Sequence, residues 1–221
     1  MSRSFDGTND NINMGNTNDV STGQVSLATW VYQVATGQAL AGKKFDGTAT
    51  QAGYFMSGRG GGGIFWRVCD GVVQTSVTTG GATQGRWVFL CGTFNGTTDS
   101  ANLYVNDTVK ILNAFTGGSL ANTANFTLGE FGGGSTDYNG REAFVHMYNR
   151  VLNDGEVLQI MRYPGSIRQN LQGFWPLWGV PTEPDISGSQ FSGTVTGAIP
   201  SLDGPPINGM VISSPMGSYA A

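Results

Sequence analysis

The sequence contains one histidine, His146, the residue type most often used as a general acid or base near neutral pH. A single histidine allows at most one Ser-His-Asp or Cys-His arrangement. No Gly-x-Ser-x-Gly turn supplies a matching nucleophile. His146 alternates with Phe144 and Tyr148 in a run that is typical of a β-strand. We therefore predict a structural histidine and no hydrolase triad.

Carboxylates are the second source of chemistry, because their oxygens bind hard cations such as calcium. The aspartates on predicted loops are Asp6, Asp10, Asp19, Asp99 and Asp137. Their spacing does not match the Asp-x-Asn-x-Asn pattern of helix-loop-helix calcium sites, and no His/Cys cluster suits zinc. Calcium is thus a possible cofactor without a defined ligand set.

The two cysteines, Cys69 and Cys91, are too few to form a disulfide framework. One disulfide between them is possible. Two reduced, buried thiols that act as small apolar residues are the preferred interpretation.

The composition excludes several classes of protein. Glycine accounts for 35 of 221 residues and only 12% are charged, which disfavours helical bundles and coiled coils. The net charge is −4 and the basic residues do not cluster, so we expect no nucleic-acid partner. No apolar run has the length of a membrane span, and the N-terminus lacks an apolar signal core, so we expect no membrane partner and synthesis in the cytoplasm without general secretion.

Alternating apolar and polar residues predict a series of β-strands separated by Gly-containing turns. Cys69-Asp-Gly-Val72 predicts a tight hairpin, because Asp-Gly tolerates positive φ. The run Gly58–Gly63 lacks the Lys-Ser/Thr of a phosphate loop and is interpreted as a surface loop. One helix is predicted after Leu152, with Asn153 as N-cap and Glu156 at the capping-box position.

The residue pattern changes after Gly165, which predicts a boundary between two regions. Residues 1–165 carry the strands, whereas 166–221 hold seven of the eight prolines and no long alternating run. We predict one domain over 1–165 and an irregular extension over 166–221 that packs on the core or on a neighbouring subunit.

Several motifs occur in the order of a known family. They are Ser4-Phe-Asp-Gly7, Ser26-Leu-Ala-Thr-Trp30, Trp87-Val-Phe-Leu90, Leu103-Tyr-Val-Asn106 and Tyr148–Glu156. Together they resemble the laminin-G-like domains of the concanavalin-A-like superfamily over residues 3–162. The resemblance implies an all-β fold, an antiparallel two-sheet jelly-roll sandwich of about 12–14 strands with one short helix. It also implies that calcium binding is common among the relatives.

Glycosidases on this jelly roll need two carboxylates across a cleft, and one branch supplies them as Glu-x-Asp-x-x-Glu. The glutamates of this chain are Glu130, Glu142, Glu156 and Glu183, and none forms that pattern. We therefore predict a protein that is not an enzyme.

The tail motifs Phe174–Gly179, Pro184–Gly188 and Gly193–Gly197 are similar to an extension found on such domains in tailed-phage proteins. This resemblance implies a virion protein, and the favoured function is capsid decoration through contacts with the major capsid or another virion protein. The expected location is the virion, assembled in the host cytoplasm. The expected state is a homo-oligomer, with a trimer favoured.

The aromatic cluster in the tail is the predicted interface of such a protein. Its candidates are Phe174, Trp175 and Trp178, which would either cover their own sandwich or anchor a neighbour.

The alternative function is a carbohydrate-binding, lectin-like module. Sugar sites on this fold use aromatic platforms and polar loop residues. The candidates in or beside predicted loops are Tyr54, Arg59, Asp137 and Tyr138. This alternative rests on analogy of fold.

Overall fold

The computed structural model describes residues 1–16, 20, 23–35, 39–43, 52–59, 63–79, 84–113, 118–130 and 137–207. Sheet A comprises β1 (Ser2–Asp6), β3 (Gln24–Gln33), β8 (Trp87–Asn95), β9 (Ser100–Val105), β10 (Thr108–Asn113), β12 (Asn139–Tyr148), β13 (Leu171–Trp175) and β16 (Ile199–Ser201). Sheet B comprises β2 (Asn11–Asn13), β4 (Ala39–Lys43), β5 (Ala52–Arg59), β6 (Gly63–Asp70), β7 (Gln74–Thr79), β11 (Phe126–Leu128), β14 (Thr182–Glu183) and β15 (Gly193–Thr196). The helix α1 is Asp154–Arg162.

The strand order confirms the predicted antiparallel two-sheet sandwich. Sheet A runs β10-β9-β8-β3-β12-β1-β16, and β13 pairs with the second half of β12 beyond the end of β1. Sheet B runs β14-β15-β2-β11-β4-β5-β6-β7. Within the described residues, no helix is long and apolar enough to cross a membrane.

The main core lies between the two sheets. Successive strand side chains alternate between faces, so β6 directs Ile64, Trp66 and Val68 inward while its other residues face outward. The indole Nε1 of Trp66 donates to the carbonyl of Thr93 on the opposite sheet at 3.0 Å. Large side chains therefore fill the space between the two sheets.

The outer face of sheet A is covered by α1. The predicted capping box is confirmed: Asn153 Oδ1 accepts from the Glu156 N–H, and Glu156 Oε2 accepts from the Asn153 N–H, both at 3.0 Å. Val157 and Ile160 are buried against the strands, in a second apolar cluster that includes Phe89. This face of the molecule is thus largely occupied by the chain itself.

The tail is more regular than predicted. Its described part contributes four short strands, β13 to β16, two to each sheet. The twelve strands before residue 165 lie within the range that the resemblance implied. The described residues after 165, up to 207, therefore pack on their own core and extend both sheets.

The tail aromatics require a correction of the interface prediction. Phe174 and Trp175 are enclosed in the chain's own sandwich, with 1% and 0% of their surfaces exposed. Trp175 stacks on Phe126 of sheet B with ring centroids 5.3 Å apart, and Phe174 stacks on His146 at 4.2 Å. Neither ring is available to a neighbour, whereas Trp178 is only partly buried.

The hairpin and the thiols agree with expectation. β6 and β7 pair up to Cys69 and Gln74, and Asp70 Oδ1 accepts from the backbone N–H groups of Val72 and Val73. Cys69 and Cys91 are both free and buried. Cys69 lies in a small cluster on the outer side of sheet B, and Cys91 lies under α1 on the outer side of sheet A. Two sheets separate them, which explains why no disulfide forms.

Candidate functional site

The outer face of sheet B carries an uninterrupted row of residues across seven strands. The pairs in register are Thr194–Asn13, Asn13–Thr127, Thr127–Gly42, Gly42–Phe55, Phe55–Arg67 and Arg67–Ser76. Strand neighbours such as Ile12, Tyr54 and Trp66 lie in the main core, so alternation places the row on the outer face. We call these seven residues the sheet B row.

Arg67 is the centre of the described chemistry on this face. Its guanidinium carbon lies 5.3 Å from the ring centroid of Phe65 and 5.7 Å from that of Phe55. Its Nε donates to Ser76 Oγ at 2.7 Å. Two cation–π contacts and one hydrogen bond therefore hold the side chain over an aromatic floor.

Hydroxyl groups border this floor. Phe65 pairs with Ser57 on one side and with Thr78 on the other, so both hydroxyl-bearing residues flank the ring on the same face. Phe65, Ser57, Thr78 and Arg67 are all partly exposed, while Phe55 is 7% exposed beneath the guanidinium. An aromatic ring with hydroxyl and guanidinium groups beside it can bind a ligand that has apolar faces and polar edges.

Two of the predicted glycan residues require correction. Tyr54 lies within β5, not beside a loop, and its ring is enclosed in the core between Trp66 and Phe126, each with a ring centroid 6.4 Å away. Tyr138 is also fully buried, with its hydroxyl 3.0 Å from the carbonyl oxygens of Tyr32 and Arg141. A ring without exposed surface cannot stack on a sugar that arrives from solvent.

The other two candidates, Arg59 and Asp137, lie at or near the ends of strands. Arg59 ends β5, where its backbone pairs with Gly63, and its side chain lies outside the described part. Asp137 precedes β12 and is partly buried. The sequence signal that was missed is the alternation of β5 and β6, which puts Phe55, Phe65 and Arg67 opposite to Tyr54 and its core neighbours.

Asp10 is affected by the negative charges of two other aspartates. Burial, together with the charges of Asp6 and Asp137, raises the pKa of Asp10, although Asp10 Oδ2 accepts from the Asp6 N–H at 2.8 Å. Asp99 lies in the β8–β9 turn, and Asp19 is outside the described residues. In the described part of the chain, no three Asp, Glu, His or Cys residues are grouped to hold a metal ion. We therefore assign no calcium ligands among the described residues.

His146 has the structural position that the sequence predicts. It is fully buried, and its Nε2 accepts from the Gly165 N–H at 2.9 Å, which leaves the proton of the neutral ring on Nδ1. Burial, with a smaller contribution from the charge of Arg168, lowers its pKa to about 3. A buried histidine that stays neutral does not serve as a proton carrier for a ligand in solvent.

The glutamates are each enclosed or engaged by the chain. Glu142 is fully buried, Glu183 binds Arg3, Glu156 caps α1 and Glu130 accepts from Asn11. Among the described residues, these contacts leave no pair of glutamates poised across a cleft. The prediction that the protein is not an enzyme stays a prediction.

A family model described as the concanavalin A-like lectin/glucanases superfamily, Laminin_G_3, matches residues 6–158. The chain belongs to this family. The Laminin_G_3 match extends from the end of β1 into α1, so it contains most of the sheet B row. The strands β13 to β16 lie beyond the family match, although they complete both of its sheets.

A search of curated proteins finds no match to this chain. Among solved structures, it is similar to a provisionally assigned carbohydrate-binding protein from Bacteroides ovatus ATCC 8483, with a TM-score of 0.68 and 16% identity. The similarity covers 92% of this chain and 60% of that protein, so the chain spans less than two thirds of its length.

Two further structures share the fold. The native heptameric SAP-like pentraxin from Limulus polyphemus has a TM-score of 0.55 and 14% identity over 72% of this chain and 80% of its own. Domains LG4-5 of the mouse laminin alpha1 chain have a TM-score of 0.55 and 12% identity over 69% of this chain and 44% of that one. At these identities the likeness concerns the fold alone.

Proposed function

We propose that this Laminin_G_3 protein is a carbohydrate-binding module whose ligand lies on the outer face of sheet B. The observation that carries the proposal is the aromatic floor of Phe55 and Phe65, with the guanidinium of Arg67 above it and hydroxyl side chains on both flanks. The weakly polar faces of a pyranose ring pack on aromatic rings, and its hydroxyl groups bond to side chains at the edge.

The distribution of covered surface supports this location. The outer face of sheet A is occupied by α1 and by packed tail residues such as Phe174, and the space between the sheets is filled by the main core. The family includes lectins, and the similar Bacteroides protein is described as carbohydrate-binding, which favours the same class of ligand here.

Capsid decoration stays a prediction that rests on the tail resemblance, and no comparison tests it. The described contacts of Phe174 and Trp175 lie within the chain, so an interface would have to use other surfaces, for instance the partly exposed Trp178. The expected trimer is checked by size-exclusion chromatography with light scattering, and capsid binding by co-sedimentation. These measurements are independent of the glycan assay.

The glycan proposal is tested with an array of neutral and acidic glycans, followed by titration of the best binder. Phe65→Ala should weaken binding at least tenfold, because it removes the exposed part of the aromatic floor. The matched control is Tyr163→Ala, which removes an exposed aromatic ring at the end of α1 on the other side of the molecule. Thermal unfolding of both variants separates loss of binding from loss of fold. No binding by the wild-type protein, or equal losses in the two variants, would overturn the proposal.

A further inference from the structure

The charge of Arg67 is unbalanced by the described part of the chain. Arg3, Arg141 and Arg150 each bind a carboxylate of Glu183, Asp203 and Glu156, respectively. Arg67 has no such contact with a described residue: its partners are the Ser76 hydroxyl and two phenylalanine rings. A cation held on an apolar floor without a carboxylate is a binding group for an anion.

From this geometry we propose that the ligand is an acidic glycan, whose carboxylate or sulfate group binds to Arg67; the proposal rests on the proposed function. A guanidinium carries five N–H donors, and Ser76 accepts from the one on Nε. The two terminal nitrogens retain the fork that matches two oxygens of a carboxylate or sulfate. Because the Nε bond and the two rings restrain the guanidinium plane, little side-chain entropy is left to lose on binding.

The surroundings of Arg67 indicate a sugar acid as opposed to a small anion. Phe65 and Arg67 are two residues apart in β6, and the guanidinium carbon of Arg67 lies 5.3 Å from the centroid of the Phe65 ring. Ser57 of β5 and Thr78 of β7 pair in register with Phe65. A pyranose that packs against the exposed part of Phe65 would lie between two hydroxyl-bearing residues and would reach the guanidinium. The chain as a whole carries a net charge of −4, so a general attraction to polyanions is not expected.

The test compares polysaccharides that differ only in charge. Isothermal titration of the full chain uses polygalacturonate and its carboxyl-reduced form, and dextran sulfate and unmodified dextran. We expect at least tenfold tighter binding to the acidic member of one pair. Preference within the first pair identifies a carboxylate ligand, and preference within the second identifies a sulfate ligand.

Three variants assign the preference to one residue. Arg67→Gln should reduce the acidic-to-neutral binding ratio to within about twofold, because it removes the charge that selects the acidic form. Arg67→Lys, which keeps the charge but not the planar fork, should give an intermediate ratio. Arg141→Gln is the matched control, since its guanidinium also lies over an aromatic ring, that of Tyr32 at 4.3 Å, but pairs with Asp203.

The outcomes separate the two proposals. Equal binding of acidic and neutral forms by the wild-type protein overturns the acidic-glycan inference and leaves the carbohydrate-binding function standing. Binding to none of the four polysaccharides or the array overturns both. An equal effect of Arg67→Gln and Arg141→Gln overturns the assignment to Arg67, because the preference would then follow net charge alone.

Discussion

Trp66 of β6 reaches across the sandwich and lies against Gly92 of β8, where a methyl group on Gly92 would stand 2.2 Å from the indole Cδ2. The indole also donates to the carbonyl of Thr93, the residue after that glycine. The two sheets therefore meet closely at this point because one of them has no side chain there. Arg67 follows Trp66 in β6 and points to the opposite face of the sheet. The contact of Trp66 with Gly92 therefore fixes the strand that carries Arg67 on the proposed ligand face.

Gly92→Ala should lower the free energy of unfolding by roughly 2–3 kcal/mol, because the added methyl overpacks a closed core. Urea unfolding followed by tryptophan fluorescence measures the change. Gly118→Ala is the matched control, since a methyl there meets no atom within 4 Å. Equal stability of the Gly92 variant and the wild type would contradict the close contact.

Replacement of Arg3 alone should lower the free energy of unfolding more than replacement of both Arg3 and its ion-pair partner Glu183. Arg3 Nε donates to Glu183 Oε1 at 2.5 Å with both side chains buried, and the Glu183 carboxylate also accepts from the N–H groups of Trp178 and Gly179. Arg3→Met leaves that carboxylate without its cation and should cost roughly 3–5 kcal/mol in unfolding free energy.

The double variant Arg3→Met/Glu183→Gln tests that reason. The amide oxygen of Gln can still accept from one of the two tail N–H groups, which bind different oxygens of the carboxylate, and no buried charge is left uncompensated. We expect the double variant to be more stable than Arg3→Met in urea unfolding. A double variant that is less stable than Arg3→Met would contradict the explanation by charge.

Glu142 should make the protein less stable as the pH rises. Its side chain is fully buried, neither carboxyl oxygen has a hydrogen-bond partner among the described residues, and burial raises its pKa well above the usual range. The folded state keeps the proton that the unfolded state releases above about pH 4.3. The stabilising contribution of protonated Glu142 is therefore complete below the pKa of the unfolded state. As the pH rises above that value, the contribution is lost at about 1.4 kcal/mol per pH unit until the pKa of the folded state is reached.

Glu142→Gln removes this titration, so the variant should gain stability relative to the wild type as the pH is raised from 4 to 7. Urea unfolding at several pH values measures the difference between the two proteins. Parallel profiles for variant and wild type would show that Glu142 is ionised in the fold.

His146 should make the protein less stable as the pH falls. Its pKa is lowered to about 3, chiefly by burial, so the folded state stays neutral while the unfolded state takes up a proton below about pH 6.5. Stability due to His146 is complete above pH 6.5 and falls by about 1.4 kcal/mol per pH unit toward pH 3. His146→Gln should remove this loss, because glutamine does not titrate.

The comparison of His146→Gln with the wild type at pH 7.5 isolates the packing change, since the histidine is neutral in both states there. The difference in unfolding free energy between the two proteins should become smaller or change sign as the pH is lowered to 4. A constant gap would contradict the assignment of a neutral buried ring.

The tail should be essential to the fold of its own chain. Trp175→Ala removes a fully buried ring that stacks on Phe126 and donates from Nε1 to the carbonyl of Phe191 at 2.7 Å. The expected cost is about 3–5 kcal/mol in unfolding free energy. Leu202→Ala is the matched tail control, because that side chain is 94% exposed. Similar stabilities of the two variants in urea unfolding would contradict the packing of the tail on the core.

Features that depend on neighbours in the chain could be predicted. The capping box needs only Asn153 and Glu156, three residues apart, and the hairpin needs only the Asp70-Gly71 turn between two apolar runs. The tail strands could not be predicted in the same way. They are two to five residues long, which is too short to show a periodicity, and two of them pair with strands more than a hundred residues away.

The candidate site shows where prediction from sequence ends. Tyr54 and Phe55 are adjacent aromatic residues in one strand, and either could face the solvent by composition alone. Alternation predicts that the two side chains point to opposite faces of the sheet, but it does not predict which face is buried. The register of β5 with β6, and the packing of Trp66 against Gly92, decide that Tyr54 is inside.

The amino-acid sequence by itself determined the class of the protein: a glycine-rich, weakly charged, all-β sandwich with a capped helix and a single structural histidine. These features follow from composition, from local hydrogen bonds and from alternation within one strand. The tertiary structure alone decided that the tail belongs to the sandwich and that Arg67, Phe55 and Phe65 meet on an outer face. The reason is physical: which face of a strand is buried depends on the area that distant strands cover, and no local pattern carries that information.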